Sequence, residues 1–374
     1  MTHNIKMVDL HKQYLRIKDE IDEAIQDVLT STAFIQGPQV KEFGAALAKY
    51  AGAQHVIPCG NGTDALQIAM MALDLKPGDE VIVPVHTYVA TAEVIALLGL
   101  IPVFVDVLED SFNIDITRIE KVVTKKTKAI VPVHLYGQCA DMEPLLAIAA
   151  RHNLYVIEDA AQALGAEYTF TDGTRKKAGT MGIIGTTSFF PSKNLGCYGD
   201  GGAIFVNDEA LAEKIRMIAN HGQRVKYHHD IIGVNSRLDT LQAGILNVKL
   251  KYLDSYTARR NDVANHYDQN LNPEICQTPA RVKNSTHVFH QYTVKVKKGS
   301  RDEFQKYLTG KGIPTMIYYP VPLHLQKAYR RTGFGEGSFP VTENLSKVVI
   351  SLPIHTEMEV GELDFICNVI NDFS

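Results

Sequence analysis

The sequence predicts an α/β protein whose mostly parallel central sheet is flanked by helices and followed by a smaller α+β C-terminal domain. Six short apolar runs predict strands at 81–85, 102–107, 129–133, 154–158, 184–189 and 202–206. Segments of helical period separate several of these runs, at 63–73, 91–98 and 144–152. Strands that alternate with helices pair in parallel and are covered on both faces. We therefore expect a large α/β domain over residues 1–250 and a small domain over residues 251–374.

The two ends of the chain follow other patterns. Residues 15–30 have helical spacing, and a loop at Gly37-Pro38 precedes a second helix near 40–50. A long helix-like stretch spans 239–253, after which the order becomes mixed. Residues 287–296 alternate like a strand, 302–308 and 359–370 have helical spacing, and 313–319 is typical of an extended segment. This mixed order indicates the α+β C-terminal domain.

Composition excludes several classes of protein. A net charge of −4 over 374 residues argues against a protein that binds duplex nucleic acid. Five cysteines without CxxC spacing predict neither a disulfide framework nor a zinc site, and they fit a reducing cytoplasm. The first residues lack the apolar run of a secretory signal. The apolar stretch Val81–Val107 contains Glu93 and Asp106, so we interpret it as a buried strand–helix–strand unit and expect no membrane segment.

A glycine-containing turn runs into a helix at residues 59–66, Cys-Gly-Asn-Gly-Thr-Asp-Ala-Leu. The free N–H groups and the dipole at the start of a helix favour a phosphate there. Gly62 would let the backbone approach such a group, and Thr63 would cap the helix or donate to the anion. When this segment is taken alone, a plain capped helix is the favoured interpretation.

An apolar strand ends in an acid at residues 156–162, Val-Ile-Glu-Asp-Ala-Ala-Gln. A carboxylate at the C-terminal end of a strand lies where open α/β sheets bind ligands. Asp159 would keep a pyridine nitrogen protonated, as a pyridoxal electron sink requires, and Gln162 would reach the oxygen on the ring. Taken alone, Asp159 fits the cap of the next helix as well.

A lysine between apolar residues marks the segment 186–196, Thr-Thr-Ser-Phe-Phe-Pro-Ser-Lys-Asn-Leu-Gly. Such surroundings favour a low-pKa amine for Schiff-base chemistry at Lys193, and Ser188 would donate to a phosphate. The glycines at 199–202 lead into a strand rather than a helix, which excludes a dinucleotide fingerprint.

Polar residues precede a long helix at 233–242, Gly-Val-Asn-Ser-Arg-Leu-Asp-Thr-Leu-Gln, where a helix cap with a surface arginine is the plain interpretation. Just upstream, His221, His228, His229 and Asp230 favour a mobile loop near a subunit interface over a metal site, because adjacent loop histidines rarely share one ion. We expect no metal.

These four segments, in this order, resemble those of the DegT-type nucleotide-sugar aminotransferases, which belong to the fold type I pyridoxal-phosphate superfamily. The resemblance covers nearly the whole chain and extends to residues 8–10, 78–81, 87–91 and 320–326. It implies catalytic roles for two residues: Lys193 would form the Schiff base and carry the proton, and Asp159 would pair with the pyridinium nitrogen. A related branch that dehydrates sugars has histidine at the lysine position, so Lys193 argues against that branch.

The resemblance also implies which residues bind the ligands. Gln162 would touch the ring hydroxyl and Tyr88 would stack on the ring. The phosphate would be held by four residues, of which the last comes from a neighbouring subunit: Gly62, Thr63, Ser188 and Asn235. The substrate would be bound by another four, of which the first comes from the partner and takes a carboxylate: Arg237, Tyr318, Tyr319 and His324.

The implied reaction takes an amino group from L-glutamate, leaving pyridoxamine phosphate (PMP) on the enzyme and releasing 2-oxoglutarate, and then passes the group to a keto sugar on a nucleotide. Because each site is completed across an interface, the resemblance implies a homodimer.

Local similarity narrows the choice of keto-sugar substrate. Residues 135–142, 188–202 and 221–229 resemble the branch that aminates UDP-2-acetamido-2-deoxy-3-oxo-glucuronate for surface polysaccharides. Arg237 would then serve two carboxylates in turn. Tyr318 replaces the histidine expected in that branch, so a dTDP-linked 3-oxo-6-deoxyhexose is the main alternative and a 4-keto hexose the third. A non-catalytic regulatory protein on the same fold, or less well an amino acid decarboxylase, remains open as a different class.

Overall fold

The computed structural model describes residues 4–373, apart from the side chains of Arg331 and Thr332. Twelve α-helices lie within that range: α1 Leu10–Arg16, α2 Lys18–Ser31, α3 Pro38–Ala51, α4 Gly62–Ala72, α5 Ala90–Leu97, α6 Met142–His152, α7 Glu209–Ala219, α8 Thr240–Leu250, α9 Leu253–Asn270, α10 Arg301–Gly310, α11 Pro340–Val348 and α12 Val360–Asn371. Short 3₁₀ helices are found at Ile116–Arg118, Glu120–Val122, Leu135–Gly137, Leu323–Leu325 and Lys327–Thr332.

The same range contains fourteen strands: β1 His55–Cys59, β2 Glu80–Pro84, β3 Ile101–Val105, β4 Thr127–Ile130, β5 Tyr155–Asp159, β6 Glu167–Thr169, β7 Arg175–Lys177, β8 Ile184–Ser188, β9 Gly202–Val206, β10 Gln223–Val225, β11 His228–His229, β12 Cys276–Gln277, β13 Tyr292–Val296 and β14 Val349–Leu352. Seven of them form one central sheet in the order β1-β9-β8-β5-β4-β2-β3. The neighbours from β8 through β3 pair in parallel, whereas β9 runs antiparallel to both β8 and β1. The mostly parallel sheet predicted from the sequence is confirmed.

Helices cover both faces of this sheet, as the burial of β2 illustrates. Val81 and Val83 pack into one apolar cluster with α4, α5 and α7, while Ile82 between them packs into another cluster with α6. Successive side chains of a strand point to opposite faces, so a strand buried on both sides must be apolar throughout. This is why β2, β3 and β9 appear in the sequence as mostly apolar runs.

The C-terminal part of the chain builds a second core around the antiparallel sheet β12-β13-β14. Side chains of α9, α10 and α12 pack on this sheet, and Ile5 near the start of the chain joins the same cluster. Asp106, just after β3, accepts hydrogen bonds from the backbone N–H groups of Val341 and Thr342 (3.0 Å each) in the first turn of α11. Asp106 therefore caps a helix of the C-terminal part from the end of a central strand.

Several boundaries differ from those expected. Residues 15–30 belong to two helices that meet at Ile17, and the stretch 239–253 is divided between α8 and α9. Only 292–296 of the segment 287–296 pairs as a strand. The extended segment 313–319 adds no strand to the described structure and only a single bridge, between Met316 and Ser351.

The apolar stretch Val81–Val107 folds as β2, α5 and β3, as predicted. Among residues 4–373, no helix has both the length and the hydropathy needed to span a bilayer.

Candidate active site

A cavity of about 760 Å³ opens at the carboxyl ends of the parallel strands. It is lined by side chains that follow β2, β4, β5 and β8, by the start of α4, and by a segment that leads into β13. The lining residues are Asn61, Gly62, Thr63, Asp64, Leu66, Thr87, Tyr88, Ala90, Val133, Asp159, Ala161, Gln162, Ser188, Phe190, Ser192, Lys193, Asp200, His290, Gln291, Tyr318 and Tyr319.

Asp159 is the last residue of β5 and its carboxylate is held in a fixed orientation. Its Oδ2 accepts a hydrogen bond from the Thr91 hydroxyl (2.8 Å), and its Oδ1 accepts one from the backbone N–H of Ala161 (3.2 Å). The residue is only 6% exposed. A buried carboxylate at this position can hold a proton on a basic ring nitrogen.

The start of α4 lies against the end of β8. The Asn61 side chain caps the helix by accepting from the N–H of Asp64 (2.8 Å), so the earlier N–H groups of the helix lack an intrahelical acceptor. A Cβ on Gly62 would lie 2.7 Å from the Cβ of Ser188, so no side chain fits between the two elements. Gly62, Thr63 and Ser188 thus form a narrow cradle of helix-terminal N–H groups and hydroxyls, which suits a phosphate.

Lys193 lies in a tight loop after β8. Its backbone N–H donates to the Phe190 carbonyl (2.8 Å). At Gly196 a Cβ would lie 2.2 Å from the Pro191 carbonyl oxygen, so the loop can close only with glycine at this position. From outside the loop, Lys249 of α8 donates to the Gly196 carbonyl (2.5 Å). The loop that carries Lys193 is therefore held by its own hydrogen bonds and by a buried lysine.

The amine of Lys193 has an altered acidity. Burial among protein atoms lowers its pKa from 10.5 to about 8, although the negative charge of Asp159 acts in the opposite direction. A substantial share of the amine is therefore neutral near physiological pH, and a neutral amine is the form that attacks a carbonyl or accepts a proton.

The Gln162 amide connects two parts of the cavity wall. Its Oε1 accepts from the backbone N–H of Tyr136 (2.7 Å), and its Nε2 donates to the Tyr319 hydroxyl (3.3 Å). The Tyr136 hydroxyl donates to the Tyr318 carbonyl. The ring of Tyr88 is 57% exposed and lies 6.3 Å from the Tyr319 ring, measured between centroids.

The structure brings most of the sequence-predicted residues into this one cavity. Nine of them line it: Gly62, Thr63, Tyr88, Asp159, Gln162, Ser188, Lys193, Tyr318 and Tyr319. Asn235 and Arg237 lie outside it in the same chain. Asn235 is exposed, and Arg237 lines a separate pocket of about 620 Å³ with Ser236.

His324 does not take the place in the sugar pocket that was expected of it. Its side chain is fully buried and its Nε2 is bonded to a Glu343 carboxylate oxygen (3.0 Å). Its ring packs edge-on against Phe339, with the centroids 4.8 Å apart. Phe339 belongs to the apolar cluster of the central sheet, so the imidazole is enclosed away from the described cavity and does not line it.

Sequence reasoning missed several lining residues, notably Thr87, Ser192, Asp200, His290 and Gln291. The polar pair His290-Gln291 separates the apolar pair Val288-Phe289 from β13, which is a usable signal. The segment was interpreted only as part of an alternating strand.

The residues present fit pyridoxal phosphate. The cradle at Gly62 and Ser188 suits its phosphate, and the fixed carboxylate of Asp159 suits its ring nitrogen. The low-pKa amine of Lys193 suits its aldehyde. All three groups line the same cavity.

The chain resembles known proteins along nearly its whole length. The sequence pattern of the DegT/DnrJ/EryC1/StrS aminotransferase family matches residues 15–371. A pleiotropic regulatory protein of Geobacillus stearothermophilus is 48% identical, and the match covers 99% of this chain and 98% of that one. The UDP-2-acetamido-2-deoxy-3-oxo-D-glucuronate aminotransferase of Pseudomonas aeruginosa is 47% identical, and the match covers 98% of this chain and 100% of that one. The dTDP-3-amino-3,4,6-trideoxy-alpha-D-glucose transaminase of Streptomyces venezuelae is 42% identical, with 96% and 93% covered.

Two solved structures share the fold. DesV from S. venezuelae, in complex with a ketimine intermediate, superposes with a TM-score of 0.95 at 40% identity, covering 99% of this chain and 98% of that one. NtdA from Bacillus subtilis, with bound cofactor PMP, superposes with a TM-score of 0.87 at 34% identity, covering 94% and 80%. The fold is therefore shared with proteins whose structures contain PMP or a ketimine intermediate.

Proposed function

The chain belongs to the DegT/DnrJ/EryC1/StrS aminotransferase family, and from that premise we propose that it aminates UDP-2-acetamido-2-deoxy-3-oxo-glucuronate with L-glutamate as the donor. It is a pyridoxal-phosphate-dependent aminotransferase of nucleotide-linked keto sugars. We further propose that it works as a homodimer in the cytoplasm, in the synthesis of surface polysaccharide.

One observation carries the catalytic assignment: a low-pKa lysine amine and a fixed carboxylate line the same cavity beside a phosphate-sized cradle. When bound, pyridoxal phosphate supplies an aldehyde that binds amines and a ring that takes up the electron pair of a departing α-proton.

Residues of the chain itself carry out the proton transfers and orient the cofactor. Asp159, fixed by Thr91, holds the proton on the ring nitrogen and so keeps the ring electron-poor. Lys193, once released by the incoming amine, takes the proton from the α-carbon of the donor. In the second half-reaction Lys193 would move a proton in the opposite direction, to the sugar carbon that held the keto oxygen. Gln162 would help to orient the bound cofactor, and Tyr88 would lie against it and limit the access of water.

The uronate substrate is supported by similarity over full length. The relative named for that substrate is 47% identical and is covered completely. A sugar carboxylate also gives Arg237 a second ligand after the carboxylate of glutamate, because one guanidinium binds either group in the same bidentate geometry. In this proposal Arg237 and Asn235 reach the cavity of the partner subunit, which accounts for their position outside the cavity of their own chain.

A dTDP-linked 3-oxo-6-deoxyhexose is the second candidate. The relative from Streptomyces venezuelae, named a dTDP-3-amino-3,4,6-trideoxy-alpha-D-glucose transaminase, is 42% identical. Tyr318 lines the cavity at the position where the uronate branch is expected to have histidine.

A regulatory role is the candidate from another class, because the relative that is 48% identical is named a regulatory protein. A protein that only senses a ligand needs the cavity but has no use for a neutral amine. The lowered pKa of Lys193 beside Asp159 therefore favours turnover.

The experiment is a product assay with purified holoenzyme, L-glutamate and each of the two keto sugars. We expect a 3-amino sugar and an equal amount of 2-oxoglutarate by mass spectrometry, with a kcat/KM for the UDP-uronate at least roughly tenfold above that for the dTDP sugar. Lys193→Ala serves as the matched control and should bind cofactor without turning over. A higher kcat/KM for the dTDP sugar would transfer the assignment to the second candidate, and normal turnover by Lys193→Ala would refute the mechanism.

A further inference from the structure

His290 is a buried cavity residue that has no role in the mechanism above. It lies in the segment that leads into β13 and is 6% exposed, yet it lines the cavity together with Lys193. Its Nδ1 has no hydrogen-bond partner within the described residues. Of the lining residues that the structure describes, Thr87 is the other with such an atom, but a hydroxyl rotates freely whereas an imidazole nitrogen points in one direction. A buried polar atom without a partner costs free energy, which a ligand with the right group recovers.

The neighbouring glutamine defines which nitrogen of His290 carries the proton. The Gln291 amide nitrogen lies 3.4 Å from Nε2 of His290, and an amide nitrogen can only donate. Burial holds the pKa of His290 well below its usual 6.5, and the positive charges of Lys193 and Arg260 act in the same direction. The imidazole is therefore neutral and has a single proton. Because Nε2 accepts, that proton is on Nδ1, which is a donor without an acceptor.

The position of His290 relative to the reactive lysine is fixed from two sides. The buried guanidinium of Arg260 in α9 donates to the carbonyls of Phe289 (3.0 Å) and His290 (3.4 Å). The Asn194 side chain donates to the Val288 carbonyl (2.8 Å), and Asn194 directly follows Lys193 in the chain. The segment with the histidine and the loop with the lysine are thus tied together, which is the rigidity that a ligand contact requires.

We propose that His290 is a substrate-binding residue that donates from Nδ1 to a neutral oxygen, a hydroxyl or carbonyl, of the sugar held beside Lys193. This rests on the function proposed above. The sugar is chosen over the amino donor for two reasons. Gln291, which orients His290, lies beside Tyr318 in the cavity wall, and Tyr318 is one of the residues expected to line the sugar pocket. The carboxylate of the donor requires a cation, whereas His290 offers a neutral N–H.

The test compares His290→Leu, which removes the donor, with His290→Asn, whose amide nitrogen takes the place of Nδ1. Each purified holoenzyme is first mixed with L-glutamate alone, and the conversion to PMP is followed by absorbance. The PMP form, freed of glutamate, is then mixed with UDP-2-acetamido-2-deoxy-3-oxo-glucuronate, and the return of the lysine-bound cofactor band is followed. We expect His290→Leu to lose roughly 10- to 100-fold in kcat/KM for the sugar half-reaction while the glutamate half-reaction changes less than about threefold. His290→Asn should keep most of the sugar rate.

His290→Gln keeps the test decisive if the leucine variant does not fold, because its amide nitrogen reaches the position of Nε2 instead. Asparagine must then outperform glutamine in the sugar half-reaction. Equal rates for asparagine and glutamine, or equal losses in both half-reactions, would overturn the proposal. Failure of the wild-type protein to react with glutamate would instead refute the proposed function, so the two failures are distinguishable.

Discussion

Lys193 carries the chemistry of the site in the proposed mechanism, because burial changes the protonation of its amine. The pKa falls from 10.5 to about 8, and Asp159 prevents a larger fall. The two residues are thus coupled: the carboxylate that polarises the cofactor ring also moderates the basicity of the nucleophile. A lysine of ordinary pKa would be almost entirely protonated at neutral pH and would react slowly with an aldehyde.

We predict that this pKa appears in the pH dependence of cofactor uptake. Only the neutral amine attacks the aldehyde, so the rate constant for pyridoxal phosphate binding to apoenzyme should rise with pH and level off above about 8. Stopped-flow absorbance measures this rate, and the reaction of pyridoxal phosphate with a free lysine derivative in the same buffers corrects for the titration of the cofactor. Asp159→Asn should move the midpoint to lower pH, because it removes the charge that favours the protonated amine. A rate that rises steadily beyond pH 9 would contradict the account.

Arg237 allows a second prediction about a single residue. If one guanidinium binds the glutamate carboxylate and then the sugar carboxylate, Arg237→Ala should lower kcat/KM at least roughly tenfold in both half-reactions. For a matching 3-oxo sugar that lacks the carboxylate, the same substitution should lower kcat/KM much less, since that sugar makes no contact with Arg237. An equal loss for the two sugars, measured in single-turnover reactions, would show that Arg237 does not bind the uronate.

A site residue can be predicted from the sequence when a local pattern marks it, but not when distant contacts set its orientation. Asp159, Lys193 and Gly62 lie within short local patterns that have a chemical meaning, and all three line the cavity. His324 was expected in the cavity because it matches a motif position, but its side chain is enclosed between Glu343 and Phe339 and does not line the described cavity. The orientation of His290 depends on Arg260 and Asn194, which are distant in sequence, so no local pattern reveals it.

The contact between α4 and β8 is the element-scale feature on which cofactor binding depends. We predict that Gly62→Ala weakens the affinity for pyridoxal phosphate by roughly tenfold or more, because the new Cβ would lie 2.7 Å from the Ser188 Cβ and push the helix start away. Equilibrium titration of apoenzyme followed by absorbance measures this change. Gly361→Ala is the matched control, since nothing lies within 4 Å of the Cβ it adds in α12. The prediction is wrong if the two variants bind the cofactor equally well.

Several strands of the central sheet, such as β2 and β3, were predictable because burial makes most of their residues apolar. Two features of the sheet were not predictable: the presence of β1 and the direction of β9. β1 has only Val56 and Ile57 as a continuous apolar pair before Pro58, so its sequence gives a weak strand signal. β9 was predicted as a strand, but its antiparallel direction depends on the return of the chain after the lysine loop, which no periodicity encodes. The break between α8 and α9 at Lys251-Tyr252 was equally hidden, since helical spacing continues across it. We propose that the two domains meet at this break.

At the scale of the whole molecule, the positions of Asn235 and Arg237 outside their own cavity support shared sites in a dimer. We predict that Lys193→Ala and Arg237→Ala complement each other. In a mixed dimer one site combines the intact Lys193 of one subunit with the intact Arg237 of the other, so random mixing should restore about a quarter of wild-type activity. Activity is assayed at low glutamate after refolding the two proteins together. Activity no higher than the sum of the separate variants would place the arginine in the site of its own chain.

The most direct test of the central claim is the absorption spectrum of the protein reconstituted with pyridoxal phosphate, recorded before and after the addition of L-glutamate. The account predicts that the band of the lysine-bound cofactor disappears and the shorter-wavelength PMP band grows, with 2-oxoglutarate released in equal amount. Lys193→Ala should show no such conversion on the same timescale. A wild-type protein that forms no lysine-bound band, or whose band is unchanged by glutamate and by other amino donors, would contradict the assignment.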